Sequence, residues 1–435
     1  MAAVLAKRPQ DSFNQAFPDW GQTKAAYRFI ENERVSVEAL EAPIHEATVR
    51  RCASQKVVIA VQDTTTLVFD SARQAEGLGT VNNSPKTRGM FYHPVLGLDE
   101  EGLVLGLVHQ QRWCRGAKVA HKAKDRRQRR IEDKESYKWL KGIVGTRASL
   151  QVEDKAGQVP RLIHVFDREG DVHEVFEEIT SSLDGAVIRC AHNRRTIKAD
   201  GELRLAHEAV RAEPVLGELR IEVPRKRGQK KRRAVIEVRP AALTLWPSKR
   251  NYPNHKSLTL NLVEVWEPAP PSGSQGLHWL LYTTEPVGNI QEVSRIVDIY
   301  KMRWKIEELF LILKSGCRIE EVQFSTASRL AKVVALYAPV AVRILQLRDS
   351  ATSVPEQACT AILSEQEWRA LWTHIHKTRP SQEQAPPSIL QAVMWIGRMG
   401  GHLGRKSDAR PGVRTLWKGL RDLSLLTEMY CQASL

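Results

Sequence analysis

The chain has 435 residues, enough for two to four domains with a substantial buried core. Its 26% charged and 42% hydrophobic residues are ordinary for a soluble protein, but its formal net charge of +15 is not. That charge implies a polyanionic partner, either nucleic acid or an anionic membrane surface. The most apolar run, Val333–Leu347, is interrupted by Pro339 and Arg343 and is too short to span a bilayer. We therefore expect a nucleic-acid partner, no membrane, and a cytoplasmic, nucleoid-associated protein.

The cysteines are scattered, without a CxxC pair or a histidine at metal-ligand spacing. This pattern suggests neither a zinc site nor a disulfide framework, and predicts reduced core residues. The six positions are Cys52, Cys114, Cys190, Cys317, Cys359 and Cys431.

The first fifty residues predict short helices. One covers DWGQTKAAYRFIEN at 19–32, and Ser36 is a plausible N-cap for the next, VEALEAPIHEATVRR.

Two apolar stretches predict strands that each end on an aspartate. KVVIAVQ at 56–62 leads into Asp63, and RLIHVF at 161–166 leads into Asp167. Taken alone, each could be a turn-forming residue that caps its strand. If the two strands lie in one sheet, however, the carboxylates come side by side and repel unless a divalent cation lies between them. The pair therefore predicts a site for magnesium or manganese.

Further elements are predicted around these strands. Strands are expected at 95–98 and 103–109, joined by the turn DEEG at 99–102, and GAVIRC at 185–190 predicts another. A helix is expected at 133–144. Two basic runs, Arg112–Arg130 and Arg225–Arg233, are either solvated loops or phosphate-contacting segments.

Residues 193–282 change to short alternating strands with many turn residues, which indicates a β insertion. Its last strand contains Trp279, for which core packing is the default interpretation. After residue 314 the chain is mainly helical, with a proline-rich break at Pro380–Pro387.

The stretch Ile299–Lys314, IYKMRWKIEELFLILK, predicts one helix with two faces. At about 100° per residue, four polar side chains share one narrow stripe beside an apolar face, and Glu308 points elsewhere. A solvated charged edge is the alternative interpretation of such a stripe. Its members are Tyr300, Arg303, Glu307 and Lys314.

The spacing of these four residues, with two, three and six residues between them, resembles the signature of the insertion sequence four family of DDE transposases. Four other segments also resemble the family: KAAYRFIEN at 24–32, TRGMFY at 87–92, FDREGDVHEVFEEI at 166–179 and LGRKSDARPGVRTLWKGLRDLSLL at 403–426. The resemblance implies a ribonuclease H-like α/β core, at 51–192 and 285–325, interrupted by the β insertion at 193–284. It also implies a short helical DNA-recognition region at 1–50 and a helical dimerisation domain at 326–435.

The resemblance implies an activity as well. Asp63, Asp167 and Glu307 would hold two Mg²⁺ or Mn²⁺ ions and cut double-stranded DNA at transposon ends. Cut-and-paste transposition would then proceed through a hairpin intermediate and joining to target DNA, within a homodimer.

Other residues match DNA-contacting positions of the family. Phosphate contacts are implied for Tyr300, Arg303 and Lys314, stacking on a flipped base for Trp279, and a DNA contact for Arg189. These five and the three acids are the candidate site residues.

Two features depart from the family. Leu311 stands where a further phosphate-binding lysine is expected, and family members usually carry additional basic helices before the recognition region. The latter leaves two alternatives, a shortened recognition region or a start that is not the functional one, and it favours a rival function, a non-cutting DNA-binding regulator that pairs with a full-length transposase. A structure-specific nuclease on the same fold is a third and weaker option.

Overall fold

The computed structural model describes residues 1–8, 11–72, 74–82, 84–116, 129–151, 159–197, 201–223, 231–247, 255–405 and 408–432. Parts of both basic runs, residues 117–128 and 225–230, lie outside this set. The chain divides into two compact units. The first comprises Met1–Cys52, Thr64–Ala120 and Lys305–Leu435, and the second Ala53–Asp63 and His121–Trp304.

The helices and strands are numbered in chain order over the described residues. The helices are α1 (Ala2–Lys7), α2 (Trp20–Glu31), α3 (Val37–Ala53), α4 (Tyr137–Gln151), α5 (His173–Thr180), α6 (Ala206–Arg211), α7 (Ile290–Met302), α8 (Trp304–Leu311), α9 (Ala327–Ser353), α10 (Glu365–His376), α11 (Ile389–Met399) and α12 (Val413–Gln432). The strands are β1 (Val57–Gln62), β2 (Thr65–Val68), β3 (Gly79–Val81), β4 (Ser84–Leu98), β5 (Val104–Trp113), β6 (Arg161–Phe166), β7 (Gly185–Arg189), β8 (Arg195–Ile197), β9 (Leu203–Leu205), β10 (Gly217–Val223), β11 (Arg232–Leu245), β12 (Leu258–Trp266) and β13 (His278–Thr283).

Local capping sets the starts of the N-terminal helices as the sequence predicts. The Asp19 carboxylate accepts a hydrogen bond from the Gln22 amide at 2.8 Å, which begins α2. The Ser36 hydroxyl accepts one from the Ala39 amide at 3.1 Å, at the start of α3. Both predicted helices are therefore confirmed.

In the first unit, β4 pairs antiparallel with β2, β3 and β5. The turn between β4 and β5 is the predicted one. Asp99 accepts a hydrogen bond from the Leu103 amide at 2.7 Å, and Gly102 takes a φ of +86°, a conformation that glycine adopts without steric cost. Strands β4 and β5 are longer than the predicted strands at 95–98 and 103–109, because each continues beyond its apolar stretch.

The first unit is built on α9, which packs against α1, β5, α11 and α12. This helix has 27 residues, longer than the apolar run Val333–Leu347, and is long and apolar enough to cross a membrane by length and composition. In its most apolar window, 78% of the residues are buried inside the protein. The apolar surface of α9 therefore forms the core of the unit.

The second unit contains a large mixed sheet whose strands follow the order β1-β6-β7-β13-β12-β11-β8-β9, with β10 also pairing with β11. The pairs β1–β6 and β6–β7 are parallel, and the others are antiparallel. Five of the six residues in β1 and in β6 are buried, as expected for central parallel strands covered on both faces.

Helices α4, α5 and α6 pack on this sheet around one hydrophobic cluster, which includes Trp139, Phe176 and Tyr282. A buried carboxylate joins three elements near the edge of the cluster. Glu285, which is 2% exposed, binds Arg161 of β6 at 2.5 Å and Arg295 of α7 at 3.1 Å. These pairs fix the end of β13 against the start of β6.

The single helix predicted over Ile299–Lys314 is wrong in detail. The chain forms α7 up to Met302, breaks at Arg303, continues as α8, and ends in a π-helical turn, Ile312–Gly316. Because the wheel assumes uniform rotation, it places Lys314 incorrectly relative to the residues before the break. The predicted apolar face is nevertheless buried at Ile299, Ile306, Leu309, Phe310 and Leu313.

The cysteines are unpaired, as predicted. Cys52, Cys190, Cys317 and Cys359 are buried, Cys114 is only partly buried, and Cys431 is exposed at the end of α12, so the assignment to the core holds for four of the six.

Candidate active site

The two strand-end aspartates follow neighbouring parallel strands of the second unit. In the β1–β6 pair, Val57 stands opposite Arg161 and Val61 opposite Val165. Two residues further along each strand, the same register aligns Asp63 with Asp167. The structure therefore brings these two carboxylates to one edge of the sheet. We call Asp63 and Asp167 the acidic pair.

A cation accompanies the acidic pair. Arg303, at the break between α7 and α8, donates a hydrogen bond to Asp63 Oδ2 at 3.0 Å. Its positive charge also acts on Asp167, as does that of Lys138. The Glu169 amide also donates a hydrogen bond to Asp167 Oδ1 at 2.8 Å, but burial outweighs all three contributions and raises the pKa of Asp167 above its usual range. For Asp167, burial therefore costs the ionised form more than its neighbours return.

The shifted pKa of Asp167 predicts an effect on stability. The pKa of Asp167 is higher in the folded protein than in the unfolded chain, so ionisation of this carboxylate lowers the free energy of unfolding once the pH rises above the unfolded-state pKa. Below that pH the carboxyl is protonated in both states and has no effect. Asp167→Asn should therefore raise the melting temperature at neutral pH in EDTA, and the gain should vanish as the pH falls toward about 4. Calorimetry across this pH range measures the difference.

The matched control is Asp298→Asn, at an exposed aspartate of α7 that pairs with Lys301 at 2.8 Å. Surface pairs contribute about 0–1 kcal/mol, so this variant should gain no stability. A lower melting temperature of Asp167→Asn at every pH would contradict the assignment of uncompensated charge.

Three of the predicted DNA-contacting residues meet in the second unit. The rings of Trp279 and Tyr300 are 5.3 Å apart at 63°, and the Arg189 guanidinium lies 5.9 Å from the centre of the Tyr300 ring. Arg189 also donates a hydrogen bond to the His278 carbonyl at 2.5 Å. Trp279 is half-buried, so part of its ring is accessible. We call these three residues the aromatic–arginine cluster.

Two further predicted residues belong to the first unit. Glu307 lies in the first turn of α8, four residues after Arg303 along the chain. Lys314 donates a hydrogen bond to the Thr66 carbonyl at 2.6 Å and lies 3.5 Å from Glu320. Glu308 pairs with Arg348 at 2.5 Å.

The acidic pair suits a hard divalent cation. Carboxylate oxygens are the ligands that magnesium prefers, and a bound cation would offset the burial that raises the pKa of Asp167. Across the described parts of the chain, no group of three or more His, Cys, Asp or Glu side chains is arranged to hold a metal ion. The three-acid metal site therefore stays a prediction.

Sequence reasoning missed Asp171, which is 2% exposed. It accepts hydrogen bonds from the amides of Ala191 at 2.7 Å and His192 at 2.8 Å, and it pairs with Arg194. Asp171 thereby fastens the segment that follows Asp167 to the segment that follows β7. The motif FDREGD contains both acids, but no sequence signal shows which one is buried.

Sequence reasoning also passed over Trp304, which is 59% exposed and lies beside Arg303. A large exposed aromatic next to the acidic pair's cation is unusual for a residue that only packs. In the sequence, Trp304 directly follows Arg303 in the run RWKIEE, and this position is the signal that could have identified it.

Comparison with known proteins adds two matches. Residues 339–434 match the family described as the transposase Tn5 dimerisation domain, and residues 1–35 match the transposase DNA-binding family. Both ends of the chain match transposase domains. Together these matches support a Tn5-like DNA transposase with regions for DNA binding and dimerisation.

Among solved structures, the chain aligns with a cryo-EM structure of the piggyBac transposase synaptic complex with hairpin DNA. The alignment covers 100% of this chain and 70% of that chain, at 10% identity and a TM-score of 0.34. A likeness this remote carries no argument about the present protein.

Proposed function

We propose that the protein is a DDE transposase of the insertion sequence four family, with a ribonuclease H-like core. It would excise its element by cutting phosphodiester bonds at the transposon ends, pass through a hairpin intermediate, and join the freed ends to target DNA as a homodimer. The transposase matches at both termini, of which the one at 339–434 is to the Tn5 dimerisation domain, support the class of protein.

The observation that carries the proposed chemistry is the acidic pair. Two segments distant in sequence form adjacent parallel strands, and Asp63 and Asp167 directly follow the ends of these strands, so both carboxylates lie at the same edge of the sheet. Like charges in such positions are costly to maintain unless a cation is used there. Structural ion pairs also perturb carboxylates, but here burial dominates over the attraction of Arg303 and Lys138 for Asp167.

Each predicted residue has a role in this proposal. Asp63, Asp167 and Glu307 would hold two Mg²⁺ or Mn²⁺ ions, whose chemistry is to activate a water or 3′ hydroxyl and stabilise the leaving oxygen. Arg303 binds the phosphate next to the cut through its guanidinium, aided by the charge of Lys314 and the hydroxyl of Tyr300. Arg189 orients Tyr300 from the side of β7.

The direct test is excision. Purified protein, Mg²⁺ and a DNA carrying the terminal repeats that flank its gene should yield a double-strand break at each repeat, with a hairpin at the released end. Reactions in EDTA and reactions on scrambled repeats serve as controls. Binding of the repeats without any cutting in Mg²⁺ or Mn²⁺ would contradict the proposal and favour a regulatory protein.

Trp279 should serve the hairpin step more than nicking. Its stacking on a flipped base is worth roughly 1–3 kcal/mol, so Trp279→Ala should slow hairpin formation by about tenfold or more while leaving the first nick nearly unchanged. Denaturing gels that separate nicked and hairpin products measure both rates.

The matched control is Trp266→Ala, at another half-buried tryptophan of the same sheet, which Arg239 contacts at 4.4 Å. It should cost stability without selective loss of the hairpin. If Trp279→Ala instead lowers the melting temperature as much as Trp266→Ala and slows both steps equally, Trp279 is a packing residue.

A further inference from the structure

The second unit contains a cleft of about 510 Å³ that includes neither the acidic pair nor the aromatic–arginine cluster. It lies among the start of α5, the segment after β7 and the end of β11. Its volume falls within the range of about 300–1,000 Å³ that is typical of small-ligand sites. The cleft can admit one or two nucleotides but not a duplex.

A cross-strand pair forms one rim of the cleft. Leu245 of β11 stands opposite Thr196 of β8, and the Trp246 amide donates a hydrogen bond to the Arg195 carbonyl at 2.9 Å. Trp246 and Arg195 are therefore cross-strand neighbours, close enough for their side chains to act together. Trp246 is 46% exposed, and Arg195 is exposed as well. The rim thus offers an aromatic face beside a guanidinium.

The lining carries an excess of positive charge. Its Asp171 is neutralised by Arg194 and by two backbone amides, and its Glu174 lies 3.7 Å from His255. Among the described residues, no carboxylate pairs with Lys134, His192 or Arg195, although all three line the cleft. An anion entering the cleft would therefore meet Lys134 and Arg195, two cations that no carboxylate of the described residues pairs with.

The wall of the cleft is flat. The imidazole rings of His173 and His255 stack 4.3 Å apart and are nearly parallel, at 5°. His173 Nε2 lies 2.9 Å from the Lys256 carbonyl oxygen, which makes Nε2 the donor and fixes the ring. A fixed planar wall and an exposed tryptophan are surfaces on which a base can stack.

We propose that this cleft binds a nucleotide of single-stranded DNA, with the base stacked on Trp246 and the phosphate held by Arg195 and Lys134. A strand and a free nucleotide share the same chemistry, a planar base linked through a sugar to a phosphate. The experiment therefore separates these two ligands. This inference goes beyond the proposed function and does not depend on cleavage, because none of the lining residues belongs to the three catalytic acids.

The test measures binding of a fluorescein-labelled oligothymidylate by anisotropy, in EDTA, with the full chain. Arg195→Glu should weaken binding by about tenfold or more and reduce the salt slope by about 0.7 for each phosphate that is no longer neutralised. Trp246→Ala should weaken binding by about tenfold. The matched control is Arg220→Glu, at an exposed arginine of β10 in the same unit, which should change binding little.

A second measurement locates the strand. An oligonucleotide with 5-iodouracil should crosslink on irradiation to the tryptic peptide that contains Trp246, and Arg195→Glu should remove the crosslink. Competition by thymidine monophosphate at equal nucleotide concentration would assign the cleft to free nucleotides, whereas competition by oligothymidylate alone would assign it to a strand. Both results support the nucleotide chemistry.

Unchanged affinity in Arg195→Glu and Trp246→Ala, or an equal loss in Arg220→Glu, would overturn the inference. These outcomes are distinct from failure of the proposed function, because excision of duplex ends in Mg²⁺ is scored separately in the same variants. Melting temperatures of the three variants confirm that each is folded, as expected for substitutions at exposed positions.

Discussion

Asp63→Asn, Asp167→Asn and Glu307→Gln should each abolish cutting of transposon-end DNA while leaving DNA binding intact. The amides keep the shape of the side chains but remove the charge that a divalent cation requires. The expected loss in cleavage rate is about a thousandfold or more, comparable with removal of a main electrostatic stabiliser of a transition state. Cleavage of labelled repeat DNA in Mg²⁺, with binding measured in EDTA, separates the two effects.

The control for Glu307 is its neighbour on the same helix. Glu308 pairs with Arg348 at 2.5 Å, so Glu308→Gln removes a structural charge and not a catalytic one. This variant should retain cleavage and become slightly less stable. Full cleavage by Glu307→Gln, or an equal loss in Glu308→Gln, would remove Glu307 from the catalytic set.

The stability of Asp167→Asn links this result to the fold. The same substitution that abolishes cleavage should raise the melting temperature at neutral pH, because burial raises the pKa of Asp167. Mg²⁺ should stabilise the parent protein more than Asp167→Asn, since only the parent retains both carboxylates. A residue that merely caps its strand would show neither effect.

The sequence predicted those features that depend on local chemistry. β-branched runs placed the strands before Asp63 and Asp167, and polar side chains at Asp19 and Ser36 marked the starts of two helices. What the runs could not show was the register between β1 and β6, which depends on contacts between segments about a hundred residues apart.

Other features of the candidate site could not be predicted for related reasons. The break at Arg303 and the π-helical turn after α8 arise where tertiary contacts override the regular period on which a helical wheel relies. Asp171 and the cleft beside it depend on the loop after β7, which is distant in sequence from Asp167. The pairing of Trp246 with Arg195 likewise follows from strand register alone.

A buried ion network in the first unit leads to the second prediction of large effect. Asp349 of α9 is 6% exposed and binds Lys305 at 2.7 Å and Arg348 at 2.6 Å. Arg348 in turn binds Glu308. Two residues of α8, Lys305 and Glu308, are thus fastened to α9 on either side of Glu307.

Asp349→Ala should lower the free energy of unfolding by about 3–5 kcal/mol, because it leaves two largely buried cations without their shared carboxylate. Urea denaturation measures the decrease. Asp422→Ala is the matched control, since Asp422 pairs with Arg421 at 2.9 Å on α12 with both side chains more than a third exposed. Exposed pairs contribute about 0–1 kcal/mol, so the control should be destabilised far less.

The network also affects the catalytic proposal, because it holds the helix that carries Glu307. At a temperature where Asp349→Ala remains folded, cleavage should fall while DNA binding persists, since α8 loses the buried Lys305–Asp349 pair to α9 and is left with the Glu308–Arg348 pair. Adding Lys305→Met to Asp349→Ala removes one of the stranded cations and should recover part of the stability, as a double-mutant cycle would show. It should not recover cleavage, because the Lys305–Asp349 attachment of α8 to α9 would still be missing. If cleavage instead returns together with stability, the network acts only on folding, and the position of Glu307 does not depend on it.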